Sequence, residues 1–436
     1  MLDGVVAIIG RPNVGKSTIF NRMIGERKSI VEDYPGVTRD RIYGTCEWLT
    51  RQFRVIDTGG IELEERPFQE QIRMQADIAI NEADVIVLVC DGRTGVTNDD
   101  QFIASMLYKI DKPIILVVNK IDDGHLLPNI YDFYALGLGD PLAVSPLHGI
   151  GMGDLLDKII EYLPKQEESI GEDTRIKFSV IGRPNVGKSS LVNAILNQER
   201  VIVSDIEGTT RDAIDTDFIR DDKEYTVIDT AGLKRRGQIY EAIDKYSALR
   251  ALSAIDRSDV VLLVIDASTG IRIQDKNVVS YALEAGKAVT IVVNKWDTVI
   301  KDTNTMSEYT KKIREEFQFL TYAPVVYVSA LKKQRINTIF EAIDICYENA
   351  TKRVQTSVIN DVIMDAQLRN PAFEFNGGVL KIYYVSQVSI KPPTFVLFVN
   401  NPEFIHFSYR RYLENRVRQA FGFEGTPIHF ILRVKQ

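Results

Sequence analysis

Apolar residues fall in short runs along this chain, and each run ends in turn residues followed by a stretch of helical period. VVAIIG, QFRVID, DVIVLVC and IILVVN make a first set; KFSVIG, EYTVID, VVLLVID and VTIVVN make a second. The runs are rich in β-branched residues and do not alternate with polar ones, so they predict strands buried on both faces. The helical stretches between them predict a mostly parallel sheet covered by helices, an α/β domain built twice. Residues 165–175 are polar and without period, which predicts a linker. Beyond residue 352 the pattern becomes a helix (358–369), two strands (LKIYYVSQV and TFVLFVN), a long helix (404–421) and a last strand, IHFILRV. That α-β-β-α-β order predicts a small α+β domain with its helices on one sheet face. The expected organisation is two α/β domains, 1–164 and 176–352, followed by the α+β domain, 353–436.

The two sets are a duplication. GRPNVGKS at 10–17 returns at 182–189, and the same spacing carries Thr38 onto Thr210 and DTGG (57–60) onto DTAG (229–232). A short insertion then brings NKID (119–122) onto NKWD (294–297), and Ser145 later matches Ser329. Order is kept while insertions fall between motifs, where loops absorb them. The motifs follow apolar runs, at the carboxyl ends of strands, where open α/β sheets bind ligands.

GRPNVGKS carries the chemistry of a phosphate loop. Gly10 and Gly15 let the backbone curl around Asn13 and Val14 and aim N–H groups at phosphates. Lys16 reaches the terminal phosphate oxygens and Ser17 offers a hydroxyl to magnesium. Thr18 opens a helix whose positive end faces the same anion. Gly182, Asn185, Val186, Gly187, Lys188, Ser189 and Ser190 repeat the set. One such match is a modest signal; two, each between a strand and a helix, are specific.

Phosphate loops do not separate adenine from guanine nucleotides, but NKID and NKWD do. Asp122 and Asp297 each present two carboxylate oxygens to the ring N–H and exocyclic amine of guanine. Adenine would leave that carboxylate unpaired. Asn119 and Asn294 serve the base and brace the phosphate loop, and Lys120 and Lys295 lay their stems along the ring. Ser145, and in the second copy Ser329 with Ala330, complete the base loop.

Asp57 and Asp229 open DxxG turns, where an aspartate holds magnesium through water and Gly60 and Gly232 donate N–H to a γ-phosphate. Thr38 and Thr210 lie in polar loops and would close on magnesium only when that phosphate is present, an order–disorder switch. The expected ligands are GTP or GDP with magnesium. The metal would be held by Ser17, Thr38 and Asp57 in the first copy and by Ser189, Thr210 and Asp229 in the second.

Composition adds limits rather than chemistry. A chain of 436 residues suits two or three domains, and 45% hydrophobic with 26% charged residues is ordinary for globular proteins. Cys46, Cys90 and Cys346 are far apart without CxxC spacing, and the 4 histidines are scattered. Reduced thiols are expected, and no zinc cluster. No apolar stretch approaches the ~18 residues of a membrane span, and the N-terminal run lacks the basic flank of a signal peptide. A soluble, cytoplasmic protein is expected. Net charge is −7, yet residues 350–436 hold 11 Lys/Arg against 6 Asp/Glu, a tilt toward a polyanionic partner.

With these five motifs in order, the chain resembles the small GTPase superfamily. Two such domains with NVGKS loops and a compact C-terminal domain resemble the EngA (Der) family of ribosome-assembly GTPases, over essentially all 436 residues. The resemblance implies two tandem P-loop GTPase domains and a KH-like C-terminal domain. It implies hydrolysis of GTP to GDP and phosphate, and as partners the maturing large ribosomal subunit and its rRNA, with no DNA and no membrane. A monomer with mobile domains is the expected state. Signalling GTPases orient the attacking water with a glutamine after DxxG, but Ile61 and Leu233 stand there. The resemblance implies potassium instead, held partly by the phosphate-loop asparagine that matches Asn13 and Asn185. The implied catalytic sets are Asn13, Lys16, Thr38 and Gly60, and Asn185, Lys188, Thr210 and Gly232. Turnover is expected to be slow and potassium-stimulated.

The copies are not identical. Ser145-Pro146-Leu147 stands where the second copy has Ser329-Ala330-Leu331, and proline has no N–H, so looser or altered guanine binding is expected at the first site. The loops after DxxG read IELEERP and LKRRGQI; Lys234, Arg235 and Arg236 suit RNA, an acidic domain surface or plain solvation. Gly422 to Gly425 spells the GxxG of RNA-clamping KH folds. It follows the long helix and precedes the last strand, so a helix stop and turn are expected. Arg410, Arg411, Arg416 and Arg418 on the long helix are the expected RNA contacts, with Tyr409 and Tyr412 as packing residues. Two functions stay open: a GTP-hydrolysing switch that docks on pre-ribosomal RNA, or a nucleotide-dependent RNA or protein interaction module in which hydrolysis is incidental.

Overall fold

The computed structural model describes residues 4–25, 43–49, 51–58, 83–164, 175–198, 201–203, 215–229 and 244–435. Thr38, Gly60, Thr210 and Gly232 lie outside the described residues, as do Ile61, residues 233–236 and the linker apart from Arg175. Two compact units are distinguished: one holds the first sheet, the other the second sheet and the C-terminal domain.

In the first unit, six strands form one sheet: β1 (Val5–Ile9), β2 (Tyr43–Trp48), β3 (Arg51–Asp57), β4 (Val85–Asp91), β5 (Ile114–Asn119) and β6 (Leu142–Val144). Their order is β2-β3-β1-β4-β5-β6. Only the β2–β3 pairing is antiparallel. Helices α1 (Lys16–Ile24), α2 (Asn98–Leu107) and α3 (Met152–Tyr162) pack on the sheet. Successive residues of a strand point to opposite faces, so Val6, Ile8, Val87 and Val89 join Phe20, Leu155 and Ile159 on one side. Ala7, Ile9, Ile86 and Leu88 join Ile103 and Leu107 on the other. This two-sided burial explains the unbroken apolar runs. Strands β2 and β6 escape the sequence pattern for the same reason: they are sheet edges, one reading YGTCEW and the other three residues long. The order reverses at β1, which lies between β3 and β4, and the loop leaving β1 opens into that crevice.

The second unit repeats the plan with β7 (Ile176–Ile181), β8 (Val201–Val203), β9 (Thr216–Arg220), β10 (Lys223–Val227), β11 (Val260–Asp266), β12 (Ala288–Asn294) and β13 (Val325–Tyr327). The order is β13-β12-β11-β7-β10-β9-β8, so one more antiparallel edge strand is present than in the first sheet. Its helices are α4 (Lys188–Leu196), α5 (Asp244–Arg257), α6 (Ile273–Glu284), α7 (Thr305–Glu316) and α8 (Asn337–Thr351).

The C-terminal domain runs α9 (Thr356–Arg369), β14 (Glu374–Phe375), β15 (Gly378–Val379), β16 (Ile382–Ser389), β17 (Thr394–Val399), α10 (Phe407–Phe421) and β18 (His429–Val434). The predicted α-β-β-α-β order holds, with a small β14–β15 hairpin added. Ile359, Ile363, Leu413 and Val417 from the two helices share one core with Val385, Leu397 and Phe430 of the sheet.

This domain is seamed to the second α/β domain. Gly425 N–H donates to the Tyr322 carbonyl at 2.8 Å, and Val289 N–H donates to the Gly425 carbonyl at 2.7 Å. A Cβ on Gly425 would stand 2.1 Å from Cys346 Sγ, so only glycine fits. Lys391 Nζ pairs with Asp259 at 3.0 Å across the same seam. The GxxG stretch is therefore a packed joint in which Gly422 ends α10, as a helix stop requires. The arginines of α10 have partners within the domain. Arg416 pairs with Asp365 at 2.9 Å and Arg418 with Glu414 at 2.9 Å, while Arg410 donates to the Phe430 carbonyl at 3.1 Å. Arg410, Arg416 and Arg418 thus make contacts inside the domain, because the helix returns over its own core; Arg411 is exposed. Tyr409 is buried, and Tyr412 donates to the Ala366 carbonyl at 2.9 Å, both in packing roles.

Candidate nucleotide sites

Each phosphate loop leaves the central strand and curls directly into a helix. Gly15 and Gly187, at φ 92° and 94°, are the last loop residues before α1 and α4. A Cβ at either would lie 2.3 or 2.4 Å from the amide nitrogen of Asn119 or Asn294. Glycine is demanded there twice, by conformation and by the close approach of that asparagine. Asn13 and Asn185 are also left-handed, at φ 63° and 65°, and exposed. Val14 and Val186 are buried and anchor the loops to the core.

The two lysines lie inside the curl. Lys16 Nζ donates to the carbonyls of Gly10 and Arg11 at 2.8 and 2.9 Å, and Lys188 donates to those of Gly182 and Arg183. Burial pushes the Lys16 ammonium down to about 8, against the pull of Asp57 and with a further push from Arg11. An arriving phosphate offers that ammonium a full negative charge in place of two neutral carbonyls.

The asparagine of NKxD ties base end to phosphate end. Asn119 Nδ2 donates to the Val14 carbonyl at 2.8 Å, and Asn294 Nδ2 donates to Val186 at 2.9 Å. Lys120 Nζ bridges the Asn13 carbonyl and Asp91 at 2.9 and 2.6 Å. Lys295 bridges Asn185 and Asp266 at 2.8 and 2.7 Å. Asp91 and Asp266 pair in register with Asn119 and Asn294 at the ends of adjacent parallel strands. Burial opposes ionisation of Asp91, but Lys120 and the Arg93 N–H outweigh it and hold its carboxyl below the usual range. These two aspartates were missed from sequence, although DGRTG (91–95) and DASTG (266–270) repeat at the same spacing as NKxD.

A second missed brace is the phosphate-loop arginine. Arg11 lies 3.5 Å from the fully buried Asp100, and Arg183 lies 3.3 Å from the fully buried Asp275. Asp100 also caps the start of α2 through Thr97. The arginine thus fastens each loop to a second helix, α2 in the first copy and α6 in the second.

The base-reading aspartates have different company. Ser145 Oγ donates to Asp122 Oδ1 at 2.6 Å, and the Arg93 guanidinium holds Oδ2. Ser145 and Arg93 keep the Asp122 carboxyl below its ordinary value. Asp297 is held down by Ser329, and Lys332 stands 3.7 Å away. The Ala330 N–H donates to Asn294 Oδ1 at 3.0 Å; in the first site, where Pro146 has no N–H, Asn119 Oδ1 accepts from the Lys120 N–H at 2.7 Å instead.

At the metal end, Ser17 and Thr18 are exposed in the first turn of α1, as is Ser190 in α4, with Ser189 half-buried. Asp57 is buried at the end of β3, in register with Ile8 of β1, and Thr58 Oγ1 donates to the Ile8 carbonyl at 2.6 Å. Asp229 differs: it is left-handed at φ 59°, and its N–H is held at 2.9 Å by Asp215, which pairs with Arg257 at 2.8 Å. Among the described residues no group of three or more His, Cys, Asp or Glu is placed to hold a metal ion by itself. A hydroxyl and one carboxylate form a hard-oxygen set suited to Mg²⁺, which keeps waters and takes phosphate oxygens as its other ligands.

Comparison with known proteins agrees with this geometry. Residues 5–120 and 177–295 match the family described as 50S ribosome-binding GTPase. Residues 353–433 match the KH-domain-like C-terminal domain of EngA bacterial GTPase enzymes. GTPase Der of Macrococcus caseolyticus (strain JCSC5402) is 59% identical over 433 residues, 99% of both chains. GTPase Der of Staphylococcus carnosus (strain TM300) is 60% identical over 433 residues, again 99% of both. GTPase Der of Listeria monocytogenes serotype 4a (strain HCC23) is 58% identical over 436 residues, the whole of each chain.

Proposed function

The chain belongs to the GTPase Der (EngA) family, and on that premise we propose that it is a GTP-hydrolysing switch acting in assembly and maturation of the large ribosomal subunit. One observation carries the nucleotide-binding part of this reading, the rest resting on the family: in both copies a single asparagine joins the base-reading loop to the phosphate loop, Asn119 on Val14 and Asn294 on Val186. Base and phosphates are then read by one rigid piece, and a guanine nucleotide gains both sets of contacts together.

The residues divide the work by chemistry. Gly10, Asn13, Val14, Gly15 and their counterparts Gly182, Asn185, Val186 and Gly187 present backbone N–H groups to the phosphates. Lys16 and Lys188 exchange carbonyls for terminal phosphate oxygens. Asp122 and Asp297, oriented by Ser145 and Ser329, select guanine. Ser17 and Asp57, and Ser189 and Asp229, would hold Mg²⁺, which supplies charge neutralisation for the departing phosphate when bound. Ile61 and Leu233 offer no polar side-chain group to orient water. Asn13 and Asn185, exposed and left-handed within the loop, would hold a potassium ion, and Thr38, Gly60, Thr210 and Gly232 would close over the γ-phosphate. We assign residues 1–164 and 176–352 to the GTPase domains and 353–436 to the KH-like domain, with rRNA as partner. Among the described residues no helix is long and apolar enough to cross a membrane; a cytoplasmic monomer belongs to the same proposal.

Sedimentation of the full chain with isolated large ribosomal subunits, under a GTP analogue, GDP and no nucleotide, tests the reading. Nucleotide-dependent co-sedimentation is expected, and none in any state would remove the ribosomal role. Hydrolysis compared in potassium and sodium salts tests the ion, since equal rates would exclude it.

A further inference from the structure

The two faces of the β16-β17-β18 sheet are unlike. One carries Val385, Leu397 and Phe430 into the core shared with α9 and α10. The other carries a row across all three strands: Tyr384 is in register with Phe398, and Phe398 with Arg433. The Tyr384 and Phe398 rings lie 5.9 Å apart. The register shifts between Ile382 and Tyr384, leaving Tyr383 as an extra residue. A bulge of this kind re-aims a side chain, and here two successive tyrosines are exposed, at 39% and 46%. The Lys381 and Lys435 ammonium groups lie 5.5 and 4.9 Å from the centre of the Tyr383 ring.

The charge is as one-sided as the rings. No aspartate or glutamate occurs from Phe375 to Pro402 or from Gly425 to the C-terminus, so none of the three strands carries a carboxylate. Lys381, Arg433 and Lys435 are all exposed. Exposed rings interleaved with cations, free of acidic residues, meet the two needs of an unpaired strand: π-faces for its bases and positive charge for its backbone. A duplex keeps its bases stacked and would use only the cations. On α10, by contrast, Arg416 and Arg418 are held by carboxylates of the domain itself.

We propose that this sheet face binds single-stranded RNA, with bases stacked on Tyr383 and Tyr384 and phosphates on Lys381, Arg433 and Lys435. The site rests on the reading of RNA as the partner and names the surface and strand state that serve it. The rings are sequence-tolerant platforms, so affinity depends on strandedness more than on base identity.

The test is fluorescence anisotropy of a labelled 12-nucleotide single-stranded RNA with the full chain, beside the same RNA annealed to its complement. Y383A/Y384A is expected to weaken single-strand binding about tenfold or more. Y383F/Y384F, which keeps the rings, is expected to stay within about twofold. K381Q/K435Q should weaken binding and flatten its salt dependence. In Y384W the new indole should be quenched by the single strand, while the emission of Trp48 and Trp296 in the unmodified chain is unchanged. Equal affinity for the duplex, an alanine pair that binds as before, or a phenylalanine pair that fails like the alanine pair would each overturn the site. Co-sedimentation with large subunits is run on the same variants. If the unmodified chain pellets and the alanine pair loses neither RNA nor subunits, the surface is wrong and the ribosomal reading stands; if the unmodified chain does not pellet, that reading falls by itself.

Discussion

Around the phosphate-loop lysine and the NKxD asparagine the two nucleotide sites repeat the same contacts; at their base ends they do not. Both lysines sit on the same two loop carbonyls, both asparagines on the same valine, and both NKxD lysines on the strand-end aspartate. Yet Asp122 is held by Arg93 where the second copy has Ser268, whose hydroxyl turns to Asp266 at 2.6 Å. Pro146 also removes the N–H that Ala330 gives to Asn294. The phosphate end joins side chains to loop carbonyls at the mouths of buried strands, where the sheet fixes both partners. The base end is made by loop side chains, where one substitution alters a contact and leaves the fold intact.

The largest expected effect would show whether both sites read guanine in the same way. Asp122→Asn and Asp297→Asn each remove about two charge-assisted hydrogen bonds, roughly 1.5–3 kcal/mol apiece. GTP affinity at the altered site should fall about 10²- to 10⁴-fold, by calorimetry in a background where the other phosphate-loop lysine is alanine. A site that keeps its affinity does not use its aspartate for the base. Next comes the proline. Ala330→Pro strands the buried Asn294 oxygen, a cost of about 1–3 kcal/mol, and should weaken the second site and lower the unfolding midpoint of its domain. Pro146→Ala should strengthen the first site only a few-fold. If Ala330→Pro is silent, the difference between the loops is cosmetic.

The pH dependence is a smaller effect. Lys16 titrates near 8 without nucleotide, and a bound phosphate raises that value, so binding takes up a proton above pH 8. First-site affinity should therefore be fully present below about pH 7 and drop roughly tenfold by about pH 9. Calorimetry in two buffers of different ionisation heat measures the proton directly; a flat profile removes the buried lysine from the account. The smallest effect belongs to Arg93, which is well exposed, so its pairing with Asp122 is worth about 1 kcal/mol at most. Arg93→Ala should tighten guanine binding at the first site by up to about fivefold and leave the second unchanged. A loss of affinity would mean that the arginine contacts the nucleotide instead.

Much of this was legible in the chain itself. The unbroken β-branched runs marked the central strands because burial on two faces leaves no polar alternate. The phosphate loops, NKxD and DxxG were readable because their residues are neighbours in sequence. Edge strands β2, β6 and β8 were not, since they are short or, as in YGTCEW, partly polar. Asp91 and Asp266 showed only as a faint second repeat. The intradomain partners of the α10 arginines were not legible either, because nothing in the helix sequence tells that Asp365, on another helix, faces Arg416.

The sequence by itself determined two copies of one fold, their nucleotide chemistry and the place of a third, basic domain, because those rest on spacing and period within short segments. Only the tertiary structure decided that Arg11 fastens to Asp100, that Arg93 reaches Asp122, that Gly425 is locked against Cys346, and that a bulge turns Tyr383 and Tyr384 outward together. Each of these joins residues from different elements, and which elements meet is set by strand order and helix packing rather than by any local pattern.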